Sequence, residues 1–362
     1  MPSGLSRRRF IGISAAGLAS AAVGSRAGAG TASGRLYQWR GVAMGAGASI
    51  TLADHPDAPR IALAARAEID RLENIFSLHR PDSALMRLNA EGRLAAPPFE
   101  LLECLSLCGA VHAASDGLFD PTVQPLWAAH AEAYARGAPP DADALRAARR
   151  KLGWAGLRIA PDELRVDRPG MALTLNGVAQ GYVADRVAHL LEREGLRDIL
   201  VNTGEFRALG GDPRGGAWRV TLDARPGQAR KGVWATDATA KAPQERAGWL
   251  AAGPMDGPEE TGGTAMEGGG AGADPLHQVG LRDRALASSA PLGTVFDSAG
   301  QAGHILDPRD GMPAKPRWDL VTVTAPSAAL ADALSTTFCL MERPDIARCL
   351  GAFPSARLAY LG

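Results

Sequence analysis

Residues 224–273 are not expected to join a packed core, and that limits how the rest of the chain can be built. The stretch is rich in Gly, Ala, Pro, Lys and Glu, ends in GGTAMEGGGAGA and has no sustained hydrophobic periodicity. Such a composition buries too little apolar surface to offset the entropy of ordering the backbone. It reads as a mobile insertion, mostly disordered. A fold must therefore be assembled from what precedes it and from the chain that resumes near Val279.

Both flanking parts carry element signals. Ala43–Leu52 ends in an alternating SITL that predicts a strand. Ile61, Ala65, Ile69, Leu72 and Phe76 recur at steps of three and four, which predicts an amphipathic helix. A second helix is expected over Glu100–Ala114, with Leu101, Leu105, Cys108 and His112 on one side and Asp116-Gly117 as its stop. Leu157–Val166 reads as a hairpin around Pro161-Asp162. An apolar, strand-like run, LTL, then meets Gly177 and Gly181 at the mouth of a helix marked by Val183, Val187, Leu190 and Leu191, which Gly195 ends. Strands are expected at Ile199–Asn202, Phe206–Leu209, Trp218–Leu222, Leu320–Thr324 and Ala356–Leu361. Ser327 caps a helix expected to run through Leu340. The mixture is α+β, without a regular βαβ repeat.

A chain of 362 residues suffices for one large domain or two ordinary ones. Basic and acidic residues balance at 39 each, so no basic surface for nucleic acid is expected. The N-terminus is distinct. Arg7-Arg8-Arg9-Phe10 precedes an Ala-rich apolar run over Ile11–Val23, and Ala27-Gly28-Ala29 offers a small-x-small cleavage site. This predicts a Tat-type signal peptide over residues 1–29 and a periplasmic location. The run is too short and too rich in Ala and Gly for a transmembrane span, so none is expected in the mature protein. Of the four cysteines, Cys104 and Cys108 fall i, i+4 on a helix, a spacing that suits two buried small side chains better than a bridge.

Four stretches hold side chains that do chemistry. Gly177-Val178-Ala179-Gln180-Gly181 sits where a helix N-terminus offers free N–H groups to a phosphate, although such glycines also serve tight turns or close packing. Asp116 to Val123 gathers two acids and a Thr around a Gly and a Pro, which an Asx-turn also explains. His304 and Asp307 precede a Pro-Gly turn and are read as possible base, phosphate ligand or simple turn residues. Asp332 and Thr336 share one helix face, a donor pair that suits a hard cation; back-bonding of the hydroxyl to the helix is the alternative.

Together and in this order, the stretches resemble the ApbE family of flavin transferases. The resemblance rests on Met44-Gly45, FSLHRPDSALMRLN, DGLFDPTVQPL, LNGVAQGYVADR, VNTGEFRALGG, ALASSAP, HILDPRDG and ADALSTT. It runs from about residue 36 to 362, with the Gly-rich insertion outside it. It implies an ApbE-like, T-fold-like α+β fold with two intertwined subdomains and FAD in the cleft between them. It also implies an FAD:protein FMN transferase that uses Mg²⁺ and acts outside the cytoplasmic membrane. Such an enzyme moves the FMN half of FAD onto a Ser or Thr hydroxyl of a target protein and releases AMP.

The resemblance carries over residue by residue. Met44 and His79 match positions lining the flavin pocket. Leu118, Phe119 and Asp120 match a segment that contacts FAD, and Thr174 and Gln180 match two further cofactor contacts. Gly177 matches a residue whose carbonyl binds Mg²⁺, Asp332 and Thr336 match its side-chain ligands, and Ser335 lies on the same turn. His304 matches a supporting catalytic His, with Asp307 as a second candidate base. The sequence departs from the family pattern where Thr174 and Gln180 stand in place of Asp and Lys. It departs again at Ser288-Ser289-Ala290, in place of Thr-Ser-Gly, and at Gly204-Glu205, one residue shorter than Gly-Gly-Asp. The acceptor implied is an exported domain of a respiratory membrane complex or similar flavoprotein. A periplasmic FAD pyrophosphatase and a flavin-binding protein without turnover are the alternative readings.

Overall fold

The computed structural model describes residues 36–222 and 277–362. The signal segment expected over 1–29 and the insertion expected over 224–273 lie outside the described residues.

The first two strands, β1 (Leu36–Ala43) and β2 (Ala46–Ala53), form a hairpin. Its two-residue turn is Met44-Gly45, with φ of 52° and 79°, a left-handed pair that matches the twist of adjacent strands. The sequence predicts only the second of these strands. The first lies at a sheet edge, half exposed along most of its length, so no clean alternation marks it.

Helix α1 (Ala58–Phe76) buries Ile61, Ala65, Ile69, Leu72 and Phe76, the predicted stripe. Ser83 caps α2 (Ala84–Glu91), its Oγ accepting from the Met86 N–H at 3.0 Å. Then follow β3 (Arg93–Ala95) and α3 (Phe99–Ala114). Helix α3 stops where expected: Asp116 and Gly117 turn left-handed, and the Gly117 N–H returns to the His112 carbonyl at 2.9 Å. Two helices without a clear sequence signal come next, α4 (Gln124–Ala135) and α5 (Ala142–Arg149). Strands β4 (Leu157–Ile159) and β5 (Glu163–Val166) make the predicted hairpin and join β3 in a small sheet of order β3-β5-β4.

The remaining elements are α6 (Ala179–Arg193), β6 (Ile199–Asn202), β7 (Phe206–Leu209), β8 (Trp218–Leu222), β9 (His277–Leu281), β10 (Ala285–Ser289), β11 (Val321–Ala325), α7 (Ala328–Phe338), α8 (Arg343–Gly351) and β12 (Arg357–Leu361). Ser327 caps α7 as predicted, but the helix ends two residues before Leu340. Seven strands form the main sheet in the order β1-β2-β6-β7-β10-β11-β12. Every pairing among the described strands is antiparallel, so the chain is α+β as expected.

Strand alternation splits the core between the two faces of this sheet. Ile199, Val201, Ala285 and Ala287 pack with α1, α6 and α7 on one face. Leu200, Phe206, Ala208 and Leu286 pack with the β8–β9 ribbon and the fully buried Trp218 on the other. Phe76 meets Tyr182 edge-on at 5.2 Å and ties α1 to α6. All four cysteines are free and buried, and for Cys104 and Cys108 this is in line with their reading as small core side chains. Among the described residues no helix is long and apolar enough to cross a membrane.

One expectation is corrected. The apolar run leading to Gly177 belongs to no sheet, although Met171, Leu173 and Leu175 are buried alternately. Side chains and loop carbonyls replace a neighbouring strand. The Asn89 amide bonds both main-chain groups of Leu173, donating at 2.8 Å and accepting at 2.7 Å. The Thr174 N–H donates to the Pro121 carbonyl at 2.8 Å.

Candidate functional site

Four parts of the chain converge on one face of the main sheet. They are the turn entering α6, the turn between β6 and β7, the end of β10 and the stretch of α7 from Asp332 to Thr336. A Cβ built on Gly177 would stand 3.2 Å from both Cγ2 and Oγ1 of Thr336, so the turn and the helix touch through the bare backbone of Gly177. Ser289 Oγ, at the end of β10, lies 2.8 Å from Ser335 Oγ and 3.3 Å from Thr336 Oγ1. Ser335 Oγ also donates to the Asp332 carbonyl at 3.1 Å. The predicted metal residues Gly177, Asp332, Ser335 and Thr336 thus share one place, and Ser289 joins them.

The two glycines of the α6 turn have separate jobs. The N–H of Gly181 donates to Asp332 Oδ2 at 3.2 Å, so that donor is not free for a phosphate. A Cβ there would collide with the Ala328 carbonyl and stand 2.7 Å from the Ala329 nitrogen. Close backbone packing, rather than a phosphate cradle, explains Gly181. Gln180 lies against the β6–β7 turn, with its amide 2.8 Å from where a Cβ on Gly204 would be. Its carbonyl accepts from Thr203 Oγ1 at 2.8 Å.

That turn brings in a carboxylate the sequence reading did not assign to the site. Glu205 is buried, and its Oε2 accepts from the Ser288 N–H at 3.1 Å. Burial, and next the charge of Asp332, push its carboxyl well above the usual carboxylate range. Burial likewise raises Asp332 to about 7; the Gly181 N–H opposes the shift and the charge of Asp185 adds to it. Neither carboxylate has a basic partner among the described residues. The only sequence signal for Glu205 is an acid set between two apolar strands, where the family pattern has its own acid.

This donor set fits a hard cation. One or two buried carboxylates, neighbouring hydroxyls and a main-chain carbonyl on Gly177 are oxygen donors of the kind Mg²⁺ takes, and Mg²⁺ needs few from protein. Among the described residues no three His, Cys, Asp or Glu side chains form a metal cluster. A site built chiefly of carbonyl and hydroxyl oxygens does not require one.

The other predicted residues form neighbouring groups. The Met44 N–H donates to Glu73 Oε1 at 2.6 Å, and the same carboxylate pairs with Arg80 beside the exposed His79. Met44 is thus tied to the end of α1 through Glu73, while His79 follows that helix with its N–H donating to Ser77 Oγ at 3.1 Å. Leu118 and Phe119 are buried, while Asp120 Oδ1 accepts from the Thr122 N–H at 2.8 Å and its hydroxyl at 2.7 Å. This is the Asx-turn the residue types allow. Through the Thr174–Pro121 bond it is tied to Thr174, so the 118–120 segment and Thr174 meet. Asp120 also borders a cavity of about 690 Å³ lined by Arg146, Arg149, Arg150, Trp154 and Arg309. Of the predicted residues it alone does so.

His304 and Asp307 are not paired. The main-chain N–H and the Nδ1–H of His304 both donate to the Thr294 carbonyl, each at 3.0 Å. The Nε2 lone pair of the neutral ring is then left as the acceptor. Burial lowers the imidazole below its usual value, against the raising effect of that carbonyl. Asp307 is occupied by Arg309, which binds it through its main-chain N–H at 2.9 Å and its guanidinium at 2.7 Å. Burial raises that carboxyl, but the Arg309 bonds and charge outweigh it and bring it below the usual range. Asp307 is thus a poor proton acceptor and His304 a competent one.

Comparison with known proteins bears on the family and the fold. The profile described as the ApbE family matches residues 44–242 and 260–358. The FAD:protein FMN transferase of Treponema pallidum (strain Nichols) is 27% identical over 306 residues, covering 81% of this chain and 74% of its own. The one from Klebsiella pneumoniae (strain 342) is 25% identical over 299 residues, covering 80% and 73%. Among solved structures, the ApbE protein of Thermotoga maritima superposes with a TM-score of 0.69 at 22% identity, covering 91% of this chain and 96% of its own. The flavin transferase ApbE of Vibrio cholerae gives 0.67 at 21%, covering 88% and 91%. At these identities the solved structures speak for the fold.

Proposed function

The chain belongs to the ApbE family and is a transferase, and from that premise we propose that it is an FAD:protein FMN transferase. It would pass the FMN half of FAD to a Ser or Thr hydroxyl of an exported flavoprotein domain and release AMP. The observation that carries this reading is the meeting of Gly177 before α6, Ser289 at the end of β10, and Asp332, Ser335 and Thr336 along α7. Export by the Tat route to the periplasm belongs to the same proposal and rests on Arg7-Arg8-Arg9-Phe10 and the apolar run after it.

Phosphoryl transfer asks a protein for in-line positioning and for neutralised charge more than for covalent help. Asp332, Thr336 and the Gly177 carbonyl are the residues that would hold Mg²⁺, with Glu205 and Ser289 beside them. Mg²⁺ bound there would neutralise charge on the diphosphate oxygens and ease the departure of AMP. The chain's own residues do the rest. Thr174 and Leu118–Asp120, tied together through Pro121, offer one wall for FAD. Met44, held by Glu73, and His79, held by Ser77, offer another. His304 would take the proton of the attacking hydroxyl at Nε2, while the Thr294 carbonyl fixes its ring.

The test is to incubate the mature protein with FAD, Mg²⁺ and an exported flavoprotein domain, with and without EDTA. AMP release and flavin fluorescence on a denaturing gel are followed together. Mg²⁺-dependent labelling with AMP release is expected, and Asp332→Ala should abolish both. AMP without labelled protein would mean pyrophosphatase activity instead. Full activity of Asp332→Ala at ordinary Mg²⁺ would sink the metal assignment.

A further inference from the structure

Helices α6 and α7 begin side by side, and each has N–H groups in its first turn that find no acceptor within the helix itself. Helix α7 has a cap of its own: Ser327 Oγ accepts from the Leu330 N–H at 3.2 Å. Asp185 on α6 adds two more bonds to the same helix end. Its Oδ1 accepts from Ala328 N–H at 2.8 Å and its Oδ2 from Ala329 N–H at 2.9 Å. In the reverse direction, Asp332 on α7 accepts from Gly181 N–H in the first turn of α6. Each helix thus sends one carboxylate to the other's N-terminus, and at Gly181 the two backbones touch without a side chain between them. Arg207 on β7 closes the arrangement, with its Nε 3.3 Å from Asp185 Oδ1; both side chains are almost fully buried.

The two halves of this clasp differ in what else they do. Asp332 has one oxygen on Gly181 and shares its helix face with Thr336, one turn on. Asp185 commits both oxygens to the α7 N-terminus and shares one of them with Arg207. A cap is already supplied by Ser327, so the bonds from Asp185 act between helices. The turn carrying Gly177 leads into α6, and Asp332 and Thr336 ride on α7. The register of one helix on the other sets how far the Gly177 carbonyl lies from those side chains.

We propose that Asp185 is a positioning residue for cation binding: by pinning α7 to α6 it holds Asp332 and Thr336 in register with Gly177. This rests on the Mg²⁺-dependent transferase reading above. Asp185 does not itself touch the cation or FAD in this role.

The test compares Asp185→Asn with Ser327→Ala in the full-length mature protein. The asparagine keeps the shape and one acceptor oxygen, so the fold is retained; the serine variant removes the helix's own cap. Three quantities are measured: the Mg²⁺ concentration for half-maximal AMP release, Mn²⁺ binding by paramagnetic resonance, and the melting temperature. Asp185→Asn is expected to raise the Mg²⁺ midpoint and weaken Mn²⁺ binding by about 10-fold or more, with a smaller loss at saturating Mg²⁺. Ser327→Ala is expected to lower the melting temperature and leave the midpoint where it was. A wild-type midpoint in Asp185→Asn, or equal shifts in both variants, would overturn the positioning role. Loss of Mg²⁺ dependence in the wild type itself would instead overturn the metal reading of the site.

Discussion

Thr336 rests on Gly177. A single added carbon at residue 177 would stand 3.2 Å from both Cγ2 and Oγ1 of the threonine. Two segments far apart in the chain therefore meet at a point with room for main chain only. The side chain of Thr336 is held against the Gly177 backbone by steric fit.

Gly177→Ala should displace the Thr336 hydroxyl by a few tenths of an ångström while the fold survives. The expected effect is a Mg²⁺ midpoint for FAD turnover raised by about 10-fold, with Gly177→Val worse. A Mg²⁺ titration of AMP release reads this directly. An alanine variant with the wild-type midpoint would separate Gly177 from the metal site.

Gly181→Ala is a test of packing instead. The new methyl would meet the Ala328 carbonyl and the Ala329 nitrogen, which are main chain and cannot swing aside. Overpacking of this kind costs about 1–3 kcal/mol. Urea unfolding should show a lower midpoint with an unchanged slope; a midpoint equal to wild type would mean the helices separate freely.

His304→Ala should slow transfer by about 10²–10⁴-fold, the range for loss of a general base, with FAD binding kept. Burial lowers the imidazole below its ordinary value, so the neutral, proton-accepting form persists to lower pH than for a free histidine. The acid limb of the kcat/KM profile should therefore fall below about pH 6.5. A limb above that value would point to another group.

Asp332 sets a pH dependence in the metal-free protein. Its carboxyl stands at about 7 in the folded chain against 3.8 ordinarily, so between those values the folded chain holds its proton more tightly than the unfolded chain. The corresponding stability is fully present below about pH 4 and is lost as pH rises through about 7. Glu205 is pushed the same way. In EDTA the melting temperature should fall between about pH 5 and pH 8, and Asp332→Asn should flatten that fall. An equal fall in the asparagine variant would assign it elsewhere.

The parts of this molecule that could be read from sequence are those set by local spacing. The α1 stripe from Ile61 to Phe76 follows helical periodicity and is buried as read. Asp332 and Thr336 are a legible pair because one helix face holds both. Helices α4 and α5 are not: QPLWAAHAEAYA is apolar nearly all round, and ADALRAAR buries only Ala148. Glu205 and Ser289 escape the sequence because their place is made by strand pairing. Only when β6, β7 and β10 lie side by side do the β6–β7 turn and the end of β10 reach α7. The LTL run misleads for the opposite reason. Its alternation is real, but Asn89 and Pro121 supply the bonds a strand partner would have made.

The β8–β9 ribbon has a consequence for how this chain can vary. Leu222 and His277 are paired at its end, so the chain leaves the ribbon and re-enters it at one doorway. That doorway opens on the sheet face opposite the helices that carry Asp332 and Thr336. Loop closure grows dearer by only about 0.6 kcal/mol for each doubling of length. The ribbon therefore holds two chain ends side by side, where connections of very different length close at similar cost, on the face away from Asp332 and Thr336.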